Sequence, residues 1–215
     1  MAEKLEEKFV SMNKLKNLFI QLANLIDGPL PIQKATFEEL QVVIKKDIWP
    51  KIENPELLPN PFLKVMSNKN ANHICKTILN IPFKWKPPRT SITKLYREHS
   101  KNKVHVELLG PNGLLVSNKI RMGLYGMLPH TEYGIRTHIA EEMYVIIAGE
   151  SYWMVGNNSY KLLKPGDQSF HKSKIFHSTL TVKKAFMSIY FWSGNISTKS
   201  YVYLGLPKKI DKFLS

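Results

Sequence analysis

The stretch that decides the fold runs Tyr133-Gly-Ile-Arg136-Thr-His138-Ile-Ala-Glu141-Glu142-Met-Tyr144-Val-Ile-Ile-Ala-Gly149. An apolar segment follows, then a turn at Gly156-Asn157-Asn158, then Lys164-Pro165-Gly166-Asp167 and, ten residues further, His177. His138 and Glu142 stand four residues apart, and His177 arrives about 35 residues later. Imidazole and carboxylate together suit a divalent transition metal such as Zn, Fe, Mn or Ni. An even separation lets His138 and Glu142 face one side of an extended or bulged strand. His177 would then reach them from a neighbouring strand.

Working outward, short apolar runs alternate with turn residues from about residue 104. They are Val104–Leu109, Lys119–Leu128, Met143–Ala148, Ser151–Val155, Ser159–Leu163 and Ala185–Trp192. Many short strands with Gly and Asn turns predict a β-sandwich or barrel. The N-terminal part reads differently. Leu5, Phe9, Met12, Leu15, Leu18, Phe19, Leu22, Leu25 and Ile26 form a helical apolar stripe over 4–26, closed by Gly28, Pro29 and Pro31. Thr36-Phe-Glu-Glu39 predicts a capping box that starts a second helix, running on through Phe37, Leu40, Val43, Ile44 and Ile48 to Trp49. Four prolines make residues 50–62 a loop. The two helices are expected to cover one face of the domain or to build a dimer contact. The division expected is a helical extension and connecting segment over 1–100, a β domain over 101–207 and a tail over 208–215.

The β segments resemble the cupin fold, a jelly-roll barrel with a metal site inside it. The first cupin motif ends in His, three residues, Glu, six residues, Gly, and His138, Glu142 and Gly149 match that register. The second motif matches Pro165-Gly166-Asp167 and His177. The fold class expected is therefore mainly β, a cupin jelly-roll barrel with an N-terminal helical extension. Two positions depart from the pattern. His130 stands where the first motif has its first glycine, and Arg136 where it has its first histidine. A permanently charged guanidinium does not coordinate metals. The ligand set is then His138, Glu142 and His177, and three protein ligands still make a workable catalytic site. Arg136 could clamp a substrate carboxylate or swing out to solvent.

The wider match extends over about residues 104–195. Leu108-Leu-Gly-Pro-Asn-Gly113, Ile120-Arg-Met-Gly-Leu-Tyr125, Tyr133, His138 to Tyr144, Ala148-Gly149, Pro165-Gly-Asp167, Phe170-His171, His177 and Tyr190-Phe-Trp192 together resemble the cupin-type dimethylsulfoniopropionate lyases of the DddQ type. The resemblance implies a carbon–sulfur lyase that removes the proton α to the substrate carboxylate and releases dimethyl sulfide and acrylate. It also implies roles. His138, Glu142 and His177 would bind the metal. Tyr144 would be the base, and Tyr133 a second active-site tyrosine. Trp192 would lie beside the substrate. On chemical grounds Trp192 and Tyr190 would hold its sulfonium, since aromatic faces attract a cation, and Arg136, which replaces a histidine of the family pattern, would bind its carboxylate. The residues alone leave other readings open. Tyr144, Tyr190 and Trp192 could be packed strand aromatics. The site could serve isomerase or dioxygenase chemistry on another small carboxylate, or only bind a ligand. His171 reads as a loop histidine that could line the pocket mouth, and Glu141 as solvent-exposed. His73, His99, His105 and His130 show no partner pattern.

Composition sets outer limits. The chain has 215 residues, one cysteine and a formal net charge of +14. A single Cys75 excludes an internal disulfide and a cysteine-rich zinc site. The lysines are scattered, with short clusters at Lys45-Lys46, Lys183-Lys184 and Lys208-Lys209, so no nucleic-acid partner is expected. No apolar run approaches the roughly 18–20 residues needed to span a membrane. The N-terminus mixes charge signs, unlike a secretory signal. The expectation is a cytoplasmic protein with a small zwitterionic sulfonium carboxylate as partner, with a homodimer open.

Overall fold

The computed structural model describes residues 2–206, with side chains from Lys14 onward. The expected tail at 208–215 lies outside the described residues, as do the side chains of Leu5, Phe9 and Met12. The helices are α1 (Ala2–Ile26), α2 (Pro31–Ile44), α3 (Asn60–Met66), α4 (Ile74–Leu79) and α5 (Lys94–His99). The strands are β1 (Lys103–Gly110), β2 (Leu115–Val116), β3 (Arg121–Met127), β4 (Glu132–Thr137), β5 (Glu141–Gly149), β6 (Ser151–Val155), β7 (Lys161–Leu163), β8 (Gln168–His171), β9 (His177–Leu180), β10 (Phe186–Ser193) and β11 (Val202–Gly205).

The strands form two sheets, a six-stranded one in the order β2-β1-β3-β10-β5-β8 and a five-stranded one in the order β11-β4-β9-β6-β7. Among the described residues no ladder joins them. The expected barrel is thus an open, two-sheet jelly roll, a minor correction to the expected cupin fold.

Alternation along the strands builds two cores. Inward-facing Tyr125, Tyr144, Ile146, Phe186 and Tyr190 of the large sheet meet Tyr133, Trp153 and Leu163 of the small one. The opposite side chains of the large sheet, Leu124, Met143, Val145, Ile147, Met187, Ile189 and Phe191, pack against Leu15, Leu18, Leu22, Ile32, Leu40 and Phe62 from the helices. Of the two uses foreseen for the helices, covering the sheet is the one seen.

Helix α2 differs from its expectation. It begins at Pro31, whose missing N–H costs nothing in a first turn. Thr36 therefore sits inside the helix, and its hydroxyl donates to Ile32 O at 2.7 Å instead of capping. The helix stops at Ile44; Ile48 is exposed, while Trp49 turns back edge-on to Phe19. No helix among the described residues is long and apolar enough to cross a membrane.

Gly149 explains one glycine of the first motif. It closes β5 at φ +71°, and a side chain there would collide with the carbonyl of Ala185.

Candidate metal centre

The centre is assembled by strand register. Glu142 on β5 pairs across the large sheet with Trp192 on β10 and His171 on β8. Two pairs along, Tyr144 lies between Tyr190 and Ser169. Pairs two residues apart face the same side, so both rows project into the interior.

His138 is not on the strand that carries Glu142. It lies in the turn between β4 and β5, and that turn delivers its ring. His177 opens β9 and pairs with Arg136 on β4. Tyr133 and Arg136 are three residues apart, which on a regular strand would place them on opposite faces. The β4–β9 register shifts between them, and both turn inward. Gly134 makes room for this, because a side chain there would strike the backbone of Gly205 on β11.

The Nδ1 atoms of His138 and His177 donate to the carbonyls of Ala140 and Ile175, each at 3.0 Å. Their Nε2 atoms face Glu142 Oε2 at 3.3 and 3.1 Å. These three ligand atoms lie within 4.8 Å of one another, all on buried residues. His177 Nε2 is buried and has no hydrogen-bond partner. A lone pair aimed at a carboxylate oxygen with no hydrogen between them is what a cation would resolve. The donor set fits a divalent metal, and the backbone carbonyls fix both rings as ligands.

The electrostatics agree. Burial pushes the Glu142 carboxyl up, but the surrounding imidazoles of His138, His171 and His177 outweigh it and hold the group well below the usual range. Burial, then the neighbouring His171 and the charge of Arg136, keeps His177 well below its ordinary value and therefore neutral. Tyr144 is pushed well above 10 by burial and then by Glu142, with Arg136 pulling the other way.

Arg136 is 1% exposed, so the outward-swinging reading is excluded. Its guanidinium lies 3.7 Å from the centre of the Tyr133 ring. It donates to Tyr133 O at 3.2 Å, Gly134 O at 3.4 Å and Thr179 Oγ1 at 3.2 Å. Among the described residues no carboxylate pairs with it within salt-bridge distance. Burial disfavours its charge, yet the neighbouring phenols and Glu142 keep it charged at any working pH.

A cavity of about 520 Å³ brings most of the expected residues together. Tyr133, Arg136, Glu142, Tyr144, Tyr190 and Trp192 line its inner part, and Lys84 and Arg89 its outer part. The chain belongs to the dimethylsulfoniopropionate lyase family, whose model matches residues 61–188.

Relatives within and around the family are consistent with this. The dimethylsulfoniopropionate lyase DddQ of Ruegeria pomeroyi is 33% identical over 91 residues, 42% of this chain and 45% of that protein. The chain thus matches about half the length of that curated relative. The solved structure of DMSP lyase DddQ from Ruegeria pomeroyi DSS-3 superposes with a TM-score of 0.62 at 21% identity, covering 89% of this chain and 96% of the other. A structure described with the DMSP lyases RdDddP and RnDddQII gives a TM-score of 0.64 at 15% identity, covering 90% and 98%. At these identities the two structures show a shared fold.

Sequence reasoning missed two histidines. His171, read as a loop residue, lies on β8 and is fully buried, with Nδ1 2.9 Å from Glu142 Oε2. His105, given no role, lies 2.7 Å from the Tyr190 hydroxyl. Glu141 is only half-exposed. Trp192 also does more than line the cavity, since its ring stacks on His138 at 4.1 Å.

Proposed function

We propose that this chain cleaves dimethylsulfoniopropionate to dimethyl sulfide and acrylate. The observation that carries the reading is one cavity, in a chain of this family, lined by buried Arg136, Tyr144 and Glu142, the last of which also belongs to the His138–Glu142–His177 group behind the cavity wall. The relative from Ruegeria pomeroyi is named for the same activity.

A divalent ion held by His138, Glu142 and His177, with Zn, Fe, Mn and Ni all compatible, would supply Lewis-acid stabilisation of charge developing on the substrate carboxylate. The chain's own residues do the rest. Arg136, a buried cation with no carboxylate partner among the described residues, receives the substrate carboxylate. Tyr144 takes the α proton as phenolate, a form that Arg136 favours and that the charge of a bound ion would favour further, against the upward push of burial and Glu142. The C–H electron pair becomes the Cα–Cβ double bond. The Cβ–S bond breaks with its pair going to sulfur. Dimethyl sulfide leaves neutral and needs no acid. Trp192 and Tyr190 offer ring faces to the sulfonium, worth about 0.5–2 kcal/mol. Tyr133, stacked on Arg136 and hydrogen-bonded to Tyr201 Oη at 2.6 Å, keeps the guanidinium in place.

The same reading treats the helical segment and the β unit as one working body, because the helices complete the core behind β5 and β10. It places the protein in the cytoplasm, in keeping with a free, buried Cys75. It includes a homodimer, for which the exposed Val202 and Leu204 of edge strand β11 offer a surface.

The test is headspace detection of dimethyl sulfide from purified protein and dimethylsulfoniopropionate, with Mn, Fe, Ni or Zn added separately. Metal-stimulated release is expected. No release from folded protein under any metal would turn the reading toward oxygen or isomerase chemistry on another carboxylate.

A further inference from the structure

Glu142 is held from two sides. Its Oε1 accepts from Trp192 Nε1 at 2.6 Å, and its Oε2 lies 2.9 Å from His171 Nδ1. A carboxylate can only accept, so Nδ1 of His171 carries the hydrogen. The neutral ring then has Nε2 as its acceptor, and Ser169 Oγ donates to it at 2.8 Å. Both nitrogens of His171 are thereby committed. In His138 and His177 the pattern is reversed, with Nδ1–H spent on backbone carbonyls and Nε2 left open. His171 does not belong to the group whose atoms could close around an ion.

We propose that His171, oriented by Ser169, is a positioning residue that fixes the carboxylate of Glu142 for metal binding. The proposal rests on the reading of His138, Glu142 and His177 as ligands. Its basis is the strand register. β8 lies beside β5 with His171 directly opposite Glu142, and Ser169 directly opposite Tyr144. His171 is 0% and Ser169 5% exposed, so no water substitutes for either contact. The His171 ring stacks on His177 at 4.1 Å, which limits its own freedom. Tied at both oxygens, Glu142 cannot rotate about its terminal bond. It presents Oε2 to His138 and His177 in the geometry a cation needs. Partners of this kind behind a ligand typically change metal affinity by 10–100-fold when removed.

The experiment measures Co²⁺ affinity by chelator competition, with the visible absorption of the bound ion, for the wild type, His171→Leu, His171→Asn and Ser169→Ala. Circular dichroism and thermal melting of the metal-free proteins check folding. His171→Leu should weaken Co²⁺ binding about 10–100-fold and shift its absorption bands. His171→Asn, whose amide nitrogen sits close to where Nδ1 does, should recover most of the affinity and the wild-type spectrum. Ser169→Ala should move both in the direction of His171→Leu by a smaller amount. If His171→Leu does not fold, the other two variants decide.

Wild-type affinity and spectrum in all three variants would overturn the proposal. So would a failed rescue by asparagine with loss of one nitrogen ligand by X-ray absorption, since His171 would then be a ligand itself. Wild-type protein that takes up no Co²⁺ would overturn the metal reading beneath it, and that outcome is distinct from the other two.

Discussion

The indole of Trp192 and the carboxylate of Glu142 meet across the β10–β5 ladder, Nε1 to Oε1 at 2.6 Å, in a site where both side chains are buried. The donor is neutral and the acceptor is charged, so the bond belongs to the stronger class. Trp192→Phe keeps a ring over His138 but leaves Oε1 unsatisfied. The loss should be about 1–3 kcal/mol, read as a lower urea midpoint at unchanged m-value. An unchanged midpoint would mean that the carboxylate finds another donor.

In the proposed reaction Tyr144 is the residue on which the chemistry turns. Tyr144→Phe removes only the hydroxyl, and its neighbours Trp153 and Tyr125 still pack on the ring. Dimethyl sulfide release should fall at least about 10²-fold. Metal content, measured by elemental analysis, should match the wild type. Retained turnover would remove Tyr144 from the role of base.

Arg136 can be tested without disturbing the metal. Arg136→Met keeps much of the volume and removes the charge. Losing a hydrogen bond to a charged group costs about 1.5–3 kcal/mol, so KM for dimethylsulfoniopropionate should rise about 10–100-fold with metal content unchanged. Arg136→His, which restores the cupin motif, should be less stable than the wild type. Tyr133 O, Gly134 O and Thr179 Oγ1 would lose a shared donor in a buried place. Unaltered KM in Arg136→Met would argue that the guanidinium only supports the bulge of β4.

Lys103 gives a pH signature. It is 1% exposed, and its Nζ lies 4.3 Å from the Tyr133 ring centre. Burial, then the charge of Arg136, lowers its pKa to about 7, against the weaker pull of Glu132. In the unfolded chain the group holds its proton to about pH 10.4. Above pH 7 the unfolded chain therefore binds more protons than the native one, and stability rises with pH from this group. The cost of burying the charge is present in full below about pH 7. Urea unfolding of the wild type and Lys103→Met should show a steeper rise between pH 7 and 9 in the wild type. Parallel slopes would mean that Lys103 stays protonated in its pocket.

What the sequence revealed, and what it hid, follows from how each residue is tied down. Strands β5 and β10 are apolar on both faces because helices cover one and the partner sheet the other, and such runs announce themselves. Strands β4, β8 and β9 are short and carry Tyr133, Arg136, His171 and His177 inward, so they lack the apolar alternation that marks a strand. The spacing of His138, Glu142 and His177 was legible because one turn and one register bring them together. His171 was not, since its link to Glu142 spans 29 residues and exists only through the pairing of β8 with β5. The Thr36 capping box was a local signal overridden by Pro31, which starts the helix earlier.

The helices behind β5 and β10 also bear on how this site could change over generations. A substitution on the helix-facing side of either strand meets dry, close-packed atoms, so that side of the wall has little room for neutral drift. The five-stranded sheet has a half-exposed outer side at Ile135, Thr137, Tyr152 and Met154. Heritable shifts in substrate preference are therefore expected to accumulate on β4, β6 and β11 and around the cavity mouth, while the helix-backed wall is inherited nearly intact.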